Sequence, residues 1–216
     1  LIIFLGGSVA NFQRGFDSIN VPSVLTTLVT DELDFPNLSM VGVDDRAAAY
    51  TAVDYLIRQG HRKIAVLGGP VTSYPSLMCR QGAQQAMEDA GILFNDKLYG
   101  LSNYDFESAY HAMNSLLARR AEFTALFAMS DVIAFGAIRA LVSAGLRVPE
   151  DISVIGFDGI TMSRYCVPVM TTIVQPSEQI ALQSIELLVR QIEHGTPAQT
   201  VTLKPELQQG ESVRAI

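Results

Sequence analysis

The chain has 216 residues, of which 49% are hydrophobic and 17% are charged, and its formal net charge at pH 7 is −7. This length and hydrophobicity provide for one large domain or two smaller ones with a proper core, and they exclude an intrinsically disordered chain. The acidic balance argues against a nucleic-acid-binding surface within these residues, because holding a phosphate backbone requires clustered basic side chains and those present here are scattered.

The first half of the chain alternates strand-like and helix-like segments. Short apolar runs that are typical of buried strands cover residues 1–5, 23–29, 39–43 and 63–67. Apolar residues at helical spacing predict helices over 11–19, from about 45 to 59, over 77–90 and over 106–117. Residues 95–102 are predicted as a loop or a weak strand. Gly60 and Gly91 follow two of these helices directly and are predicted to end them.

A strand–helix–strand unit over 124–160 is the most regular part of the sequence. A buried strand over 124–129 leads into a helix over 131–144, and a second buried strand follows over 152–157. Ser130 or Asp131 can cap the start of the helix, and Gly145 can end it.

The last part of the chain continues the pattern. Residues 161–169 are predicted to be irregular, 171–174 a strand, 176–194 a helix, and 200–203 and 206–208 late strands. The alternation of strands and helices predicts an α/β fold with parallel sheets that helices cover on both faces. No linker rich in Pro, Gly or Ser separates two domains, so a second lobe has to be joined through structured crossovers.

Polar side chains follow the carboxyl ends of the predicted strands. Ligands of open parallel sheets bind outside these ends. Ser130, Asp131 and Asp158 all fall there. Asp158 is either a ligand-facing carboxylate, suited to accepting hydrogen bonds from the hydroxyls of a sugar, or a group that stabilises its loop. Tyr104 and Tyr74 precede helices and either stack on an apolar ligand face or pack at the rim of the core.

Signals for metals, cofactors and catalysis are missing from the sequence. Cys79 and Cys166 stand far apart without CxxC spacing, so neither a zinc site nor a disulfide framework is indicated. No GxGxxG loop, P-loop, GxSxG elbow or HExxH pair occurs, and the three histidines are predicted at helix ends or on the surface. No apolar run approaches the roughly 20 residues of a membrane-spanning helix. We therefore expect no cofactor, no metal, no membrane contact and no enzymatic activity.

Several motifs in sequence order resemble the effector-binding core of the LacI/GalR family of bacterial transcription repressors. They are VGVDDRAA at 41–48, GHRKIA at 60–65, GGP at 68–70, GLRVPEDISVIGFD at 145–158 and PVMTTIVQP at 168–176. The likeness covers practically the whole chain. It implies a two-lobed fold like that of the type I periplasmic binding proteins, with parallel sheets flanked by helices and a small ligand in the cleft.

The resemblance also implies a domain organisation. Residues 1–43 with about 159–190 would form an incomplete N-terminal lobe, and residues 44–158 with about 191–216 would form the C-terminal lobe. Members of the family begin with a helix-turn-helix and a hinge helix, so the resemblance implies that this chain is N-terminally truncated and lacks the DNA-binding module.

The family pattern assigns effector-binding roles to several positions. Asp158 matches the ligand-binding aspartate, Tyr104 stands where an aromatic ring stacks on the effector in several members, and Ser130 precedes the aspartate of the family's ND motif.

One position departs from that pattern. An arginine commonly lies three residues before the glycine that matches Gly82, but Cys79 is found there and Arg80 is one place further on. Either Arg80 substitutes through a local shift, or this protein binds something unusual.

The resemblance implies a cytoplasmic, homodimeric repressor whose small-molecule effector, a sugar or related metabolite, modulates operator binding by a module outside these residues. A periplasmic sugar-binding protein of a transporter shares the fold and is the alternative. An α/β enzyme is a third reading, but no nucleophile and base stand at a recognisable spacing.

Overall fold

The structure is a computed structural model that describes residues 20–33, 35–120 and 122–216, and the backbone of 2–5. The helix predicted over 11–19 lies outside these residues. The described strands are β1 (Ile2–Leu5), β2 (Ser23–Thr26), β3 (Leu38–Val43), β4 (Ile64–Gly68), β5 (Tyr99–Leu101), β6 (Ala125–Ala128), β7 (Ser153–Asp158), β8 (Thr171–Val174), β9 (Thr200–Leu203) and β10 (Glu206–Gln208). The described α-helices are α1 (Asp45–Arg58), α2 (Tyr74–Asp89), α3 (Phe106–Ala118), α4 (Asp131–Ser143) and α5 (Ser177–His194).

The contacts divide the chain into two compact units. The first contains the described residues of 1–44 together with 72–75 and 175–205, and the second contains 45–71, 76–174 and 206–216.

In the first unit, four parallel strands lie in the order β1-β2-β3-β9. Helix α5 covers this sheet through Ile180, Leu187 and Leu188, which pack with apolar side chains of β2 and β3. β2 ends at Thr26 instead of continuing to residue 29 as predicted, because Thr27 adopts a left-handed conformation with φ of 64°.

In the second unit, six strands lie in the order β10-β8-β7-β6-β4-β5. β4 to β8 pair in parallel, which confirms the predicted α/β class, but the edge strand β10 runs antiparallel to β8. The sheet is therefore mostly parallel, with β10 as an antiparallel strand at one edge. Leu126, Phe127 and Ile155 of the central strands are fully buried and belong to the large core cluster of this unit.

The boundaries of the compact units differ from the predicted lobe boundaries. We predicted that the chain returns to the first lobe at about residue 159 and leaves it at about 190, whereas the contacts place these transitions at Gln175 and Pro205. Residues 159–174 stay with the second unit because they lead into β8, which pairs with β7. Residues 191–205 stay with the first unit because α5 leads into β9, which pairs with β3.

The C-terminal segment is tied into the second sheet. Ser212 is fully buried, and its hydroxyl donates to the Val154 carbonyl at 2.6 Å while accepting from the Thr171 amide at 2.8 Å. The Ser212 carbonyl in turn accepts from the Val154 amide at 2.7 Å. These residues are far apart in sequence, so the contacts attach the segment around Ser212 to strands β7 and β8.

His61 is a second anchor for this segment. It is 1% exposed, and its Nδ1 lies 2.9 Å from the Thr124 hydroxyl while its Nε2 lies 3.1 Å from the Arg214 carbonyl. Because a carbonyl only accepts, Nε2 carries the proton and Nδ1 accepts from Thr124 in the neutral ring. His61 lies at the end of α1, as one alternative of the prediction has it, and its amide donates to the Leu56 carbonyl at 3.1 Å. The other alternative, a surface position, is wrong, since the ring is buried.

None of the described helices is long and apolar enough to cross a bilayer.

Candidate ligand site at the carboxyl ends of the second sheet

The carboxyl ends of four parallel strands of the second unit place the predicted site residues along one edge. In the order of the sheet, Asp158 ends β7, Ser130 follows β6, Gly69 follows β4 and Tyr104 follows β5. Neighbouring strands are about 4.8 Å apart, so these four ends span roughly 14 Å. This is the edge at which ligands bind in open parallel sheets.

Asp158 has an unusual backbone conformation. It is half-buried, and its φ of 107° lies in a region that L-residues rarely adopt. Gly159 follows with φ of 70°, and a Cβ there would lie 2.7 Å from the Cα of Val174. Such a conformation persists only where the surrounding structure enforces it, and such residues cluster at active sites, ligand clamps and switch regions.

Asp131 holds the turn that follows Asp158. Its carboxylate is fully buried and accepts from the Thr172 hydroxyl at 2.6 Å and from the Ile160 amide at 2.8 Å. Burial raises the pKa of the Asp131 carboxyl, and the hydrogen bonds from Thr172 and the Ile160 amide act in the opposite direction. Asp131 therefore positions the loop after β7 from within the core.

Gly156 makes room for this carboxylate. A Cβ at that position would lie 2.2 Å from Oδ1 of Asp131. The sequence alone shows Asp131 as a helix cap or a cleft residue, and neither reading reveals this inward role.

Ser130 caps α4. It is 5% exposed, and its Oγ accepts from the Ile133 amide at 3.1 Å. An accepting hydroxyl keeps its own proton for donation, so capping is compatible with a hydrogen bond to a ligand. Contact between Ser130 and an effector stays a prediction.

The ring of Tyr104 lies on the backbone of Gly69. A Cβ on Gly69 would be 2.1 Å from Cε2 and 2.2 Å from Cζ of that ring, so a side chain at residue 69 and the present ring position exclude each other. Tyr104 itself has φ of 60°. A half-buried aromatic face therefore lies at the end of β4, two strand positions from Asp158.

Three side chains that the sequence analysis missed lie under Gly68. A Cβ on Gly68 would lie 2.9 Å from the Tyr99 hydroxyl, 3.0 Å from the Met129 sulfur and 3.2 Å from the Ser76 hydroxyl. The Ser76 hydroxyl donates to the Gly69 carbonyl at 3.2 Å. The only sequence signal for this arrangement is the Gly68-Gly69 pair, which marks close approach of side chains to the backbone.

Cys79 lies on the inner face of α2. It is 2% exposed, and its Sγ donates to the Asp45 carbonyl at 3.7 Å. Burial raises the pKa of the Cys79 thiol well above its ordinary value, and the carboxylates of Asp45 and Asp158 raise it further. The residue is therefore a neutral thiol within electrostatic range of Asp158.

Arg80 is directed elsewhere. Its Nη2 lies 3.0 Å from Oδ1 of Asp96, and its guanidinium carbon lies 4.6 Å from the ring centroid of Tyr99 and 5.5 Å from that of Phe94. The structure gives Arg80 these partners and does not bring it to Asp158. A shift of Arg80 into the position of the family's arginine stays a prediction that this geometry does not favour.

Tyr74 belongs to the first unit by its contacts. Its ring packs with Phe35 against a small buried cluster, which comprises Leu25, Leu28, Leu33, Leu38 and Met40. This is the packing role that the sequence left open beside ligand stacking. Its contact with an effector stays a prediction.

The site contains no recognisable metal centre. Within the described ranges, no group of three or more His, Cys, Asp or Glu side chains is arranged to hold a metal ion. The polar groups that the second unit does present, a carboxylate, hydroxyls and an aromatic face, suit hydrogen bonding to a small hydroxylated molecule.

The sequence and the fold are similar to those of known proteins. The family model described as periplasmic binding protein-like domain matches residues 53–213. The HTH-type transcriptional regulator MalR of Clostridium butyricum is 37% identical over 213 residues, covering 98% of this chain and 64% of that protein. The HTH-type transcriptional repressor PurR of Histophilus somni is 35% identical over 181 residues, covering 83% of this chain and 54% of that protein. The chain thus spans between about half and two thirds of these curated relatives.

Among solved structures, the transcriptional regulator CelR in complex with cellobiose superposes with a TM-score of 0.88 at 30% sequence identity, covering 97% of this chain and 64% of the CelR chain.

Proposed function

Since this chain belongs to the family of periplasmic binding protein-like domains, in the form found in LacI-type transcriptional regulators, we propose that it is the effector-binding and dimerisation core of such a repressor. The observation that carries the proposal is Asp158, a half-buried carboxylate at the carboxyl end of β7 that is held in a left-handed conformation. The effector is a small hydroxylated metabolite, either a sugar or a related compound.

The chemistry of the site supports this class of effector. The two oxygens of Asp158 accept hydrogen bonds from adjacent hydroxyls of the ligand, while the Tyr104 ring offers its face to the apolar C–H surface of a sugar. The Ser130 hydroxyl donates a further hydrogen bond. The similar regulator CelR was solved in complex with cellobiose, which supports a sugar for this chain as well.

Regulation of transcription follows by linkage. The effector changes operator binding only if it binds one conformational state of the repressor better than the other. Contact with operator DNA belongs to a helix-turn-helix module outside residues 1–216, of the kind named in the curated relatives. Such a protein acts in the cytoplasm, where its operator is.

An exposed apolar patch in the second unit supports dimerisation. Met162, Tyr165 and Val167, here called the 162–167 patch, are 59%, 77% and 93% exposed. These three apolar side chains lie within one six-residue segment, and contiguous exposed apolar patches mark interaction surfaces. We assign the patch to the interface with a second copy of the chain. The alternative, a sugar-binding protein of a transporter, gains no support from the relatives, which are regulators by name.

A thermal-shift screen of this chain with sugars, nucleosides and sugar phosphates tests the proposal. A ligand that binds only the folded state, at a concentration about 100 times its Kd, adds about 2.7 kcal/mol to the free energy of unfolding. For a chain of this size, that raises Tm by about 5 °C or more. Asp158→Asn keeps a residue that tolerates the left-handed backbone and removes the charge, so the shift given by the best compound should disappear.

Asp89→Asn is the matched control, because Asp89 lies exposed at the end of α2, where it accepts from the Tyr50 hydroxyl and the Gln85 amide and does not contact Asp158. It should leave the shift unchanged. A panel in which no compound raises Tm would reject the effector-binding function, and a full shift in Asp158→Asn would remove Asp158 from the site.

A further inference from the structure

A pocket lies at the amino end of β4, at the opposite end of the strand from the candidate ligand site. Its volume is about 360 Å³, and it opens at the amino end of β4. Ile64, Met87 and Leu98 form its floor, and Arg62, Lys63 and Glu122 stand at its rim. We call it the β4 amino-end pocket. Every residue that lines it belongs to the second unit.

The pairing of β4 explains why a pocket forms there. β5 begins with Tyr99 opposite Val66, so Ile64 and Ala65 have no partner in β5. Gly68 directs its carbonyl toward β5, where it accepts from the Ser102 amide. Backbone groups alternate sides along a strand, so Ile64, four residues earlier, directs its N–H and C=O to this same uncovered side.

The floor of the pocket is apolar. Ile64, Met87 and Leu98 are 5%, 2% and 7% exposed, and they belong to the main core cluster. Leu93 stands at the entrance and is 90% exposed. An apolar body placed on this floor would be removed from water together with the Leu93 side chain, which favours binding by roughly 25 cal/mol for each Å² buried.

The rim carries one cation in excess. Nζ of Lys63 pairs with Oε2 of Glu122 at 2.6 Å, so these two charges offset each other. Arg62 makes a long hydrogen bond, from Nη1 to the Ala90 carbonyl at 3.5 Å. A guanidinium has five N–H donors in a planar fork that matches a carboxylate, so Arg62 has donors to offer a ligand.

We propose that the β4 amino-end pocket binds a small organic monoanion. The apolar body of this ligand lies on Ile64, Met87 and Leu98, and its carboxylate pairs with Arg62. The volume lies at the lower end of the range for small-molecule sites, which fits one aromatic ring with a short acid chain. This site is separate from the one at Asp158. Helix α2 contributes Cys79 near the first site and Met87 to the second.

The test is a titration of the isotope-labelled chain with 4-phenylbutyrate, followed by two-dimensional 1H–15N NMR. The amide signals of residues 62–64 and 92–98 should shift, while those of 68–69 and 158–160 stay in place. Arg62→Gln should weaken the apparent Kd about tenfold, which is the loss of one charge-assisted hydrogen bond. The neutral 4-phenylbutyramide should bind as weakly to the unchanged chain as the acid binds to Arg62→Gln.

Arg58→Gln is the matched control, because Arg58 is an exposed arginine at the C-terminal end of α1, four residues before Arg62. It pairs with Asp54 and does not line the pocket. It should leave the Kd of the acid within twofold of the unchanged chain. The proposal is overturned if the 62–64 and 92–98 signals do not move, if Arg58→Gln weakens binding as much as Arg62→Gln, or if the amide binds as well as the acid. Because Asp158→Asn leaves this pocket untouched, failure here and failure of the effector site are separate results.

Discussion

Gly69 and Tyr104 come into such close contact that a single methyl group at residue 69 would occupy the space of the tyrosine ring, 2.1 Å from Cε2. The ring is therefore placed by the absence of a side chain on a neighbouring strand. This arrangement fixes an aromatic face beside the carboxyl end of β4.

Gly69→Ala should displace the Tyr104 ring. We expect a loss of about 1–3 kcal/mol in the free energy of unfolding, as for other overpacked positions, and a loss of the thermal shift given by the effector. Urea unfolding measures the first and differential scanning fluorimetry the second. The double variant Gly69→Ala with Tyr104→Ala should regain most of the stability, because the clash is gone. If the double variant is less stable than Gly69→Ala alone, the ring is not the group that the methyl displaces.

Asp131→Ala should destabilise the second unit and loosen the turn after Asp158. The change leaves the Thr172 hydroxyl and the Ile160 amide without their acceptor, so we expect about 3 kcal/mol lost in urea unfolding. Thr172→Val removes one of these bonds and keeps the carboxylate, and it should cost about 1.5 kcal/mol, the lower end for a hydrogen bond to a charged group. Equal losses in the two variants would show that Asp131 does not organise the turn.

His61 should make stability depend on pH. Burial lowers the pKa of His61 below its ordinary value of 6.5, so the folded state binds this proton less tightly than the unfolded state. The contribution of neutral His61 to the free energy of unfolding is fully present above pH 6.5. It is lost as the pH falls through 6.5 toward the folded-state pKa, by at most about 1.4 kcal/mol per pH unit.

The free energy of unfolding in urea at pH 7.5 and pH 5.5 measures this effect. The decrease between the two should be larger in the unchanged chain than in His61→Gln. His194→Gln, at the exposed end of α5, should behave like the unchanged chain. An identical decrease in His61→Gln would exclude His61 as the titrating group.

Val167→Glu should weaken the dimerisation that we propose, because it places a charge in the 162–167 patch, where an apolar residue is 93% exposed. We expect the dimer Kd to rise at least about tenfold in sedimentation velocity runs over a concentration series. Leu182→Glu changes an exposed leucine on α5 in the first unit and should leave the Kd unchanged. The patch is not an interface if Val167→Glu and the unchanged chain sediment alike at every concentration.

The order of strands and helices could be predicted because apolar periodicity and glycine stops report local structure. The helix predicted over 106–117 is observed at Phe106–Ala118, and the strand predicted over 171–174 is observed at Thr171–Val174. The antiparallel direction of β10 and the transitions at Gln175 and Pro205 could not be predicted, because they depend on which distant strand each segment meets.

The site was predictable only where residues follow strands directly. Asp158 and Ser130 lie at the edge where the strand ends placed them. Adjacent residues of a helix point about 100° apart, so Cys79 faces inward while Arg80 reaches Asp96, and the sequence could not tell which of the two faces the site. The inward turn of Asp131 likewise depends on Thr172, a residue 41 positions away.

Ser212 also bears on how the protein is made. Because its hydroxyl joins β7 to β8, a nascent chain in which residue 212 has not yet been added cannot complete this set of bonds. The second unit therefore reaches its final form only after translation has passed residue 212, although most of its strands have emerged long before.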